Sequence, residues 1–391
     1  VLRFVQFSDV HLDSRLGGKL GLPEEKRAVL AEDLRQCVSR ACDEASRFEA
    51  RLMLVPGDLF DFETVRIETA RYAAEQFSTI PDVHIFIAPG NHDSLCPGSP
   101  YLPDSGVLWP DNVHIFRSES FESVIVDDLG CSVTGLGLAH SGTSSRLLET
   151  RISRPAMPVS LLVFHGSRDF GRPPEKETVL PFTDAQLLAQ GFTYAAIGHY
   201  HEHAAILDQD DKVRAAYSGC TMGRGVDESG VKVVLKAAID SEGTVQLQTQ
   251  ELAPRRVISA CVDVTGALDT ATINYRLENA LASTGARDSD LIDLRFTGRA
   301  PLSLSDLLSS IVPTGEYFHF NSDASSVVPD YDLDVIASDS AASTVRSAFV
   351  RELLARRQAA DTDDEKNTIT HAIYYGLAAL DGRTPEPRCE D

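Results

Sequence analysis

Three short apolar runs, LRFVQF (2–7), RLMLVP (51–56) and VHIFIA (83–88), are separated by two stretches of helical period, and each gives way at once to a polar cluster. This alternation leaves few folds open. PEEKRAVLAEDLRQCVSRACDEASRFEA (23–50) carries a proline and two glutamates in its first turn. Leu30, Leu34, Cys37, Val38, Ala41, Cys42, Ala45 and Phe48 then recur at helical spacing, which predicts an amphipathic helix lying on a sheet. VRIETARYAAEQF (65–77) predicts a second. The order β-α-β-α-β is that of a layered α/β domain.

Further on, strands are expected at VHIF (113–116), SVIVDD, CSVTGL, VSLLVF (159–164), TYAAIG, AAIL, VRAAYS, VKVVLKA and TVQLQTQ, with few helices among them. The pattern restarts after PRR (254–256) with a strand VISACVDV, a helix TATINYRLENALAST and a strand DLIDLRFTG. Two helical patterns follow, RSAFVRELLARR and KNTITHAIYYGLAAL, joined by an acidic DTDDE link (361–365). The expected division is a large domain over 1–253, a small α/β domain over 254–331 and a helical segment with an acidic tail over 332–391. So short a helical tail is expected to dock onto something else.

The chain has 391 residues, 43% hydrophobic and 24% charged, which fits a folded globular protein of more than one domain. Its longest apolar runs fall far short of the roughly 20 residues of a membrane span. The N-terminal stretch VLRFVQFSDVH enters a strand pattern directly and lacks the layout of a signal peptide. A cytoplasmic protein with no transmembrane helix is the expectation. The seven cysteines never stand in a CxxC spacing, which speaks for reduced thiols rather than a disulfide frame or zinc site. A formal net charge of −22 argues against a broad electrostatic footprint for nucleic acid.

The polar clusters carry the chemistry. FSDVH brings Asp9 and His11, which alternate spacing would point to one side if the strand continued. VPGDLFD brings Asp58 and Asp61, and APGNHD brings Asn91, His92 and Asp93. VSLLVFHG adds His165 after a strong apolar strand, with His140 as the competing histidine of that interval. GHYHEH adds His199 and His201, with a glycine read as letting the backbone turn sharply. In an α/β sheet, ligands collect at the carboxyl ends of the strands, where these clusters fall. Asp9, His11, Asp58, Asn91, His165, His199 and His201 supply seven oxygen and nitrogen donors, enough for two divalent ions with Asp58 bridging. The absence of a thiolate favours Mn²⁺ or a similar borderline ion. His84 and His114 lie within strand patterns and read as structural, and His203 as a solvated loop residue.

The ordered set DxH, GDxxD, GNHD, His and GHxH resembles the calcineurin-like metallophosphoesterase superfamily. That resemblance implies a four-layer α/β/β/α sandwich, and it implies hydrolysis of a phosphoester by a water activated between two metal ions. It assigns Asp9, His11, Asp58 and His201 to one ion, and Asp58, Asn91, His165 and His199 to the other. His92 becomes the catalytic imidazole, oriented by Asp61. GDLFD and GNHD differ from the GDxVDRG and GNHE of protein phosphatases. With SDVHLDS, WPDNVHIF and SGCTMGRGVDESG (218–230), they are similar to DNA repair exonucleases of the SbcD and YhaO type. Archaeal members of that group tend to carry a histidine where this chain has Asp61.

The resemblance further implies DNA as substrate, a small α/β capping domain, a homodimer, and a helical segment that binds the coiled-coil base of an SMC-like ATPase. Arg15, Arg168, Arg172 and Arg224 follow the metal motifs and are the expected substrate contacts. Competing readings are a small-molecule phosphodiesterase or nucleotidase, and an adaptor with a vestigial site that recruits an ATPase.

Overall fold

Strands β1 (Leu2–Gln6), β2 (Leu52–Val55) and β3 (His84–Ile87) lie side by side and parallel, with Phe4 opposite Leu52 and Leu52 opposite His84. These are three of the apolar runs that the sequence marks, and their carboxyl ends share one edge. The structure is a computed structural model that describes residues 1–17, 20–61, 64–140, 145–171, 177–301, 307–338 and 344–382. It forms two compact units, one of Val1–Ile258 with Ser289–Leu291, the other of Ser259–Asp288 with the chain from Ile292 onward.

In the first unit, β4 (Val113–Ile115), β11 (Val233–Ile239) and β12 (Val245–Glu251) complete a six-stranded sheet in the order β12-β11-β1-β2-β3-β4. A second six-stranded sheet has the order β5-β6-β7-β8-β10-β9. Its strands are β5 (Glu122–Val126), β6 (Cys131–Gly135), β7 (Val159–His165), β8 (Tyr194–Gly198), β9 (Ala204–Leu207) and β10 (Val213–Tyr217).

The two sheets pack face to face. Phe4, Leu52, Leu54 and Phe86 of the first share one core with Val133, Leu161, Val163 and Tyr194 of the second, and the rings of Phe4 and Tyr194 stand 5.1 Å apart. Alternate residues of β7 point the other way: Leu162 and Phe164 join Phe182 and Leu187 in a separate cluster. Burial on both faces is why VSLLVF shows no polar alternation.

Helix α1 (Glu24–Arg47) buries Leu30, Leu34, Cys37, Val38, Ala41, Cys42 and Ala45 in one stripe and packs beside α2 (Ile67–Ser78) and β1. The outer layer over the second sheet is thin, with one six-residue helix, α3 (Asp184–Ala189), closed at its start by a Thr183–Gln186 capping box. The layering is α/β/β/α. Gln6 crosses between the sheets, donating to the Ala216 carbonyl at 2.8 Å and accepting from the Tyr194 hydroxyl at 2.6 Å, so its buried amide is satisfied.

The second unit has a sheet of β13 (Val257–Asp263), β14 (Leu291–Ala300) and β15 (His319–Asp323), with β16 (Val327–Pro329) beside β14. Helix α4 (Thr270–Thr284) is capped by Asp269 and buries Ile273, Leu277 and Leu281. Among the described residues three further helices follow, α5 (Leu333–Ser338), α6 (Val345–Ala359) and α7 (Asp363–Leu380). Their buried seam of Tyr331, Val350, Ile373, Tyr374 and Leu377 meets the sheet through Arg299 of β14, which donates to the Tyr374 hydroxyl at 3.0 Å. The helical tail is thus in contact with the sheet of its own unit.

Sequence reading and structure differ at DTDDE. Most of that stretch is not a link: Thr362 caps α7, and Asp363, Asp364 and Glu365 form its first turn, where carboxylates complement the helix dipole. Cys37, Cys42, Cys131 and Cys220 are buried free thiols, and burial pushes the first two up to about 12. Among the described residues, no helix is long and apolar enough to cross a membrane.

Candidate metal centre

The loops that leave β1 and β2 are laced together by backbone hydrogen bonds. Asp9 N donates to the Gly57 carbonyl at 3.1 Å, His11 N to that of Asp58 at 2.9 Å, and Leu12 N to that of Leu59 at 3.0 Å. Strand β1 has ended by then, at Gln6. Asp9 and His11 reach the same side because both are left-handed, each with φ 52°, and not because an extended strand continues. Asp58 is left-handed as well, with φ 53°. Such angles are uncommon for residues other than glycine, and clustered strain of this kind marks functional sites.

The second sheet delivers the remaining histidines. His165 is the last residue of β7 and lies opposite Gly198, the last of β8. The left-handed residue of GHxH is His199, with φ 114°. Gly198 serves close approach instead, since an added Cβ would lie 1.9 Å from the Pro56 carbonyl oxygen. Gly90 is similarly tight: a Cβ there would come within 2.2 Å of Asp58 Oδ1.

Asp9, His11, Asp58, His165 and His199 are essentially inaccessible, at 0–2% exposure, and Asn91 is buried too. Their polar atoms converge. His165 Nε2 lies 2.9 Å from Asn91 Oδ1, 3.2 Å from His199 Nδ1 and 3.3 Å from Asp58 Oδ2. His11 Nε2 is 3.6 Å from the same Asp58 oxygen, and His201 Nε2 is 3.8 Å from Asp9 Oδ1. The ligand atoms of Asp9, His11 and His201 lie within 4.8 Å of one another, as do those of Asp9, Asp58 and His165.

The hydrogens of two of these rings are committed elsewhere. His165 Nδ1 is 3.0 Å from the Pro56 carbonyl and His199 Nε2 is 2.9 Å from that of Glu177, and a carbonyl only accepts. If both rings are neutral, two nitrogen lone pairs face each other across 3.2 Å, beside an amide oxygen and a carboxylate. Such a convergence of acceptors calls for a positive charge. Burial disfavours a protonated His165, yet Asp58 and Asp9 outweigh it and lift the ring to about 9. Both ring nitrogens of His11 are buried, with no hydrogen-bond partner among the described residues. This nitrogen and oxygen donor set fits divalent cations.

His92 stands at the rim. Its side chain is 46% exposed, its ring lies 4.7 Å from that of His11, and its backbone N–H donates to Asp58 Oδ1 at 2.9 Å. Nδ1 is 3.8 Å from Asp61 Oδ1. That carboxylate, against the effect of burial, raises the His92 pKa above the ordinary histidine value.

His165 joins the cluster, whereas His140 is exposed. The four arginines are less uniform. Arg15 is exposed on the loop after His11. Arg168 grips Asp184 with Nε at 2.6 Å and lies over the Phe170 ring. Arg224 is closed on Glu228, with Nε 3.0 Å from Oε2. Arg172 lies outside the described residues.

Two supporting residues escaped sequence reasoning. Asp93, fully buried, accepts backbone N–H groups from Gly90 at 2.7 Å, Asp58 at 3.1 Å and Leu59 at 2.7 Å, and so clamps the second loop to the third. Burial and the neighbouring Asp58 push its carboxyl up to about 6. Glu228 Oε1 lies 2.6 Å from His201 Nδ1. Burial opposes its charge, but His201 and Arg224 hold it far below the usual carboxylate range. Asp93 was visible as the last letter of GNHD. The one sign of Glu228 was its place in SGCTMGRGVDESG, far from His201 in sequence.

Residues 2–203 match the calcineurin-like phosphoesterase family. Over 309 residues the chain is 27% identical to a Bacillus subtilis (strain 168) protein described as the uncharacterized metallophosphoesterase YhaO, covering 77% of this chain and 72% of that one. Among solved structures it is similar to a Thermus thermophilus protein at 10% identity and TM-score 0.38, over 64% of this chain and 99% of that one. A dimetal phosphatase from Danio rerio gives 11% identity and TM-score 0.37, over 65% and 97%.

Proposed function

Because this chain belongs to the calcineurin-like phosphoesterase family, we propose that it is a Mn²⁺-dependent nuclease that hydrolyses the phosphodiester bonds of DNA, acting in repair beside an SMC-like ATPase. The observation that carries the hydrolytic reading is the set of acceptor atoms around His165 Nε2, with His199 Nδ1 3.2 Å away. When bound, two divalent ions supply Lewis acidity to the phosphate oxygens and an acidified water.

The chain's own residues do the rest. Asp9, His11, Asp58 and His201 hold one ion, and Asp58, Asn91, His165 and His199 the other. Asp61 engages the Nδ1 side of His92, which leaves Nε2 as the atom that delivers a proton to the departing oxygen. In the protein without ions, Asp61 raises the His92 pKa above the ordinary histidine value.

DNA as substrate is supported by the likeness of SDVHLDS, GDLFD, APGNHDS and GHYH to DNA repair exonucleases. The helices of the second unit are the segment proposed to meet the ATPase. Among the described candidate arginines, Arg15 is exposed and is proposed for phosphate contact, whereas Arg168 and Arg224 are engaged by carboxylates. A chain of net charge −22 binds DNA weakly alone, and a partner or a second copy compensates.

The test is incubation with Mn²⁺ and end-labelled single- and double-stranded DNA, beside bis-p-nitrophenyl phosphate and cyclic nucleotides, with His92→Ala as control. Manganese-dependent DNA cleavage lost in His92→Ala supports the proposal. Cleavage of the dye ester without DNA would instead indicate a small-molecule phosphodiesterase, and inactivity on every substrate an adaptor.

A further inference from the structure

Three histidines of the centre have their outer ring nitrogen committed. For His165 and His199 the acceptors are the backbone carbonyls of Pro56 and Glu177, which the fold itself supplies. For His201 the acceptor is a side chain. Glu228, 5% exposed in the short turn Val226–Glu228, places Oε1 2.6 Å from His201 Nδ1. A carboxylate only accepts, so at that distance Nδ1 carries the hydrogen and Nε2 turns its lone pair toward Asp9.

We infer that Glu228 is the positioning residue of His201, fixing its tautomer and ring orientation for the first ion, and that Arg224 holds Glu228 in place. Arg224 reaches Glu228 Oε2 from its backbone N at 2.9 Å and from Nε at 3.0 Å, while its Nη2 sits 3.3 Å from His201 Nδ1. The guanidinium is thereby committed to the protein, which moves Arg224 from substrate contact to support. Lys232, 2% exposed, pairs with Glu202 beside the same histidine. Carboxylate–imidazole pairs of this type raise ligand basicity, and losing one costs about 10- to 100-fold in metal affinity.

The inference rests on the two-ion reading for its effect on metal, but its geometry is readable without metal. The experiment uses the full chain labelled with ¹⁵N-histidine, with His201→Ala to assign the ring, and the variants Glu228→Gln, which still accepts, and Glu228→Leu, which does not. Metal-free spectra are recorded above the ordinary histidine titration range, and Mn²⁺ alone is then titrated calorimetrically.

Expected are an Nδ1–H ring in the wild type and in Glu228→Gln, and a shift to Nε2–H in Glu228→Leu. Affinity for one of two Mn²⁺ should fall about 10- to 100-fold in Glu228→Leu, with no further loss in a His201→Ala background. An Nε2–H ring in the wild type overturns the inference. So does a Leu variant equal to wild type, or a loss that persists without His201. Should Glu228→Leu fail to fold, the wild-type tautomer still decides. A wild type with the Nδ1–H ring that binds fewer than two Mn²⁺ sinks the two-ion reading and leaves the positioning role standing.

Discussion

The Tyr101 hydroxyl donates to Asp93 Oδ2 across 2.6 Å, and that carboxylate holds the loop carrying Asp58 against the loop carrying Asn91 and His92. A buried hydrogen bond to a charged group contributes about 1.5–3 kcal/mol. Tyr101→Phe should therefore lower unfolding free energy by roughly that amount. Asp93→Asn should cost more, because its amide hydrogens would face backbone donors at one of two oxygen positions. Urea unfolding of both variants checks the order, and a neutral Asp93→Asn would contradict the clamp.

Gly198 separates close approach from backbone freedom. A methyl group there meets the Pro56 carbonyl at 1.9 Å, the carbonyl that orients His165. Overpacking costs about 1–3 kcal/mol or more, so Gly198→Ala should lose at least that stability and bind Mn²⁺ poorly. Thermal unfolding and calorimetry report both.

Much of this cluster was legible because its residues follow strands whose apolar runs are plain in sequence. VHIFIA and VSLLVF predict β3 and β7, and with them the edge where Asn91 and His165 stand. The local geometry was not legible. Nothing in FSDVH distinguishes an extended continuation from two left-handed residues, since the lacing by Gly57 and Asp58 that selects the latter comes from another loop. Glu228 is hidden for the same reason: its partner is 27 residues away. Strand β15 (His319–Asp323) lies in the polar stretch HFNSD, with no apolar run to announce it. Its pairing with β14 supplies the order that composition does not.

His92 and Asp61 should act on turnover and not on metal. His92→Ala is expected to lower kcat by about 10²- to 10⁴-fold with Mn²⁺ affinity little changed. Asp61→Asn should lower it less, since it removes only the group that holds the ring. Steady-state kinetics and Mn²⁺ titration together test this, and loss of metal binding in His92→Ala would contradict the assignment.

His114 gives a pH dependence away from the metals. Its Nε2 is buried without a hydrogen bond, against Phe86 and Phe116. Burial holds its pKa below the ordinary value, against the pull of Glu122. A folded-state pKa that is depressed means that the unfolded chain binds the proton first. Stability is then full above the ordinary histidine pKa and declines as pH falls through the folded-state value, by at most about 1.4 kcal/mol per pH unit. His114→Phe should flatten that decline in urea titrations, and an unchanged slope would sink the prediction.

On the proposed function, this chain builds a centre for two divalent ions around one shared carboxylate. Calorimetric titration of Mn²⁺ into the metal-free full chain and its Asp58→Ala variant tests it most directly. Two ions per chain in the wild type, with both weakened in Asp58→Ala, is the predicted result. A wild type that binds one ion or none, or an Asp58→Ala variant that still takes up two with wild-type affinity, would contradict it.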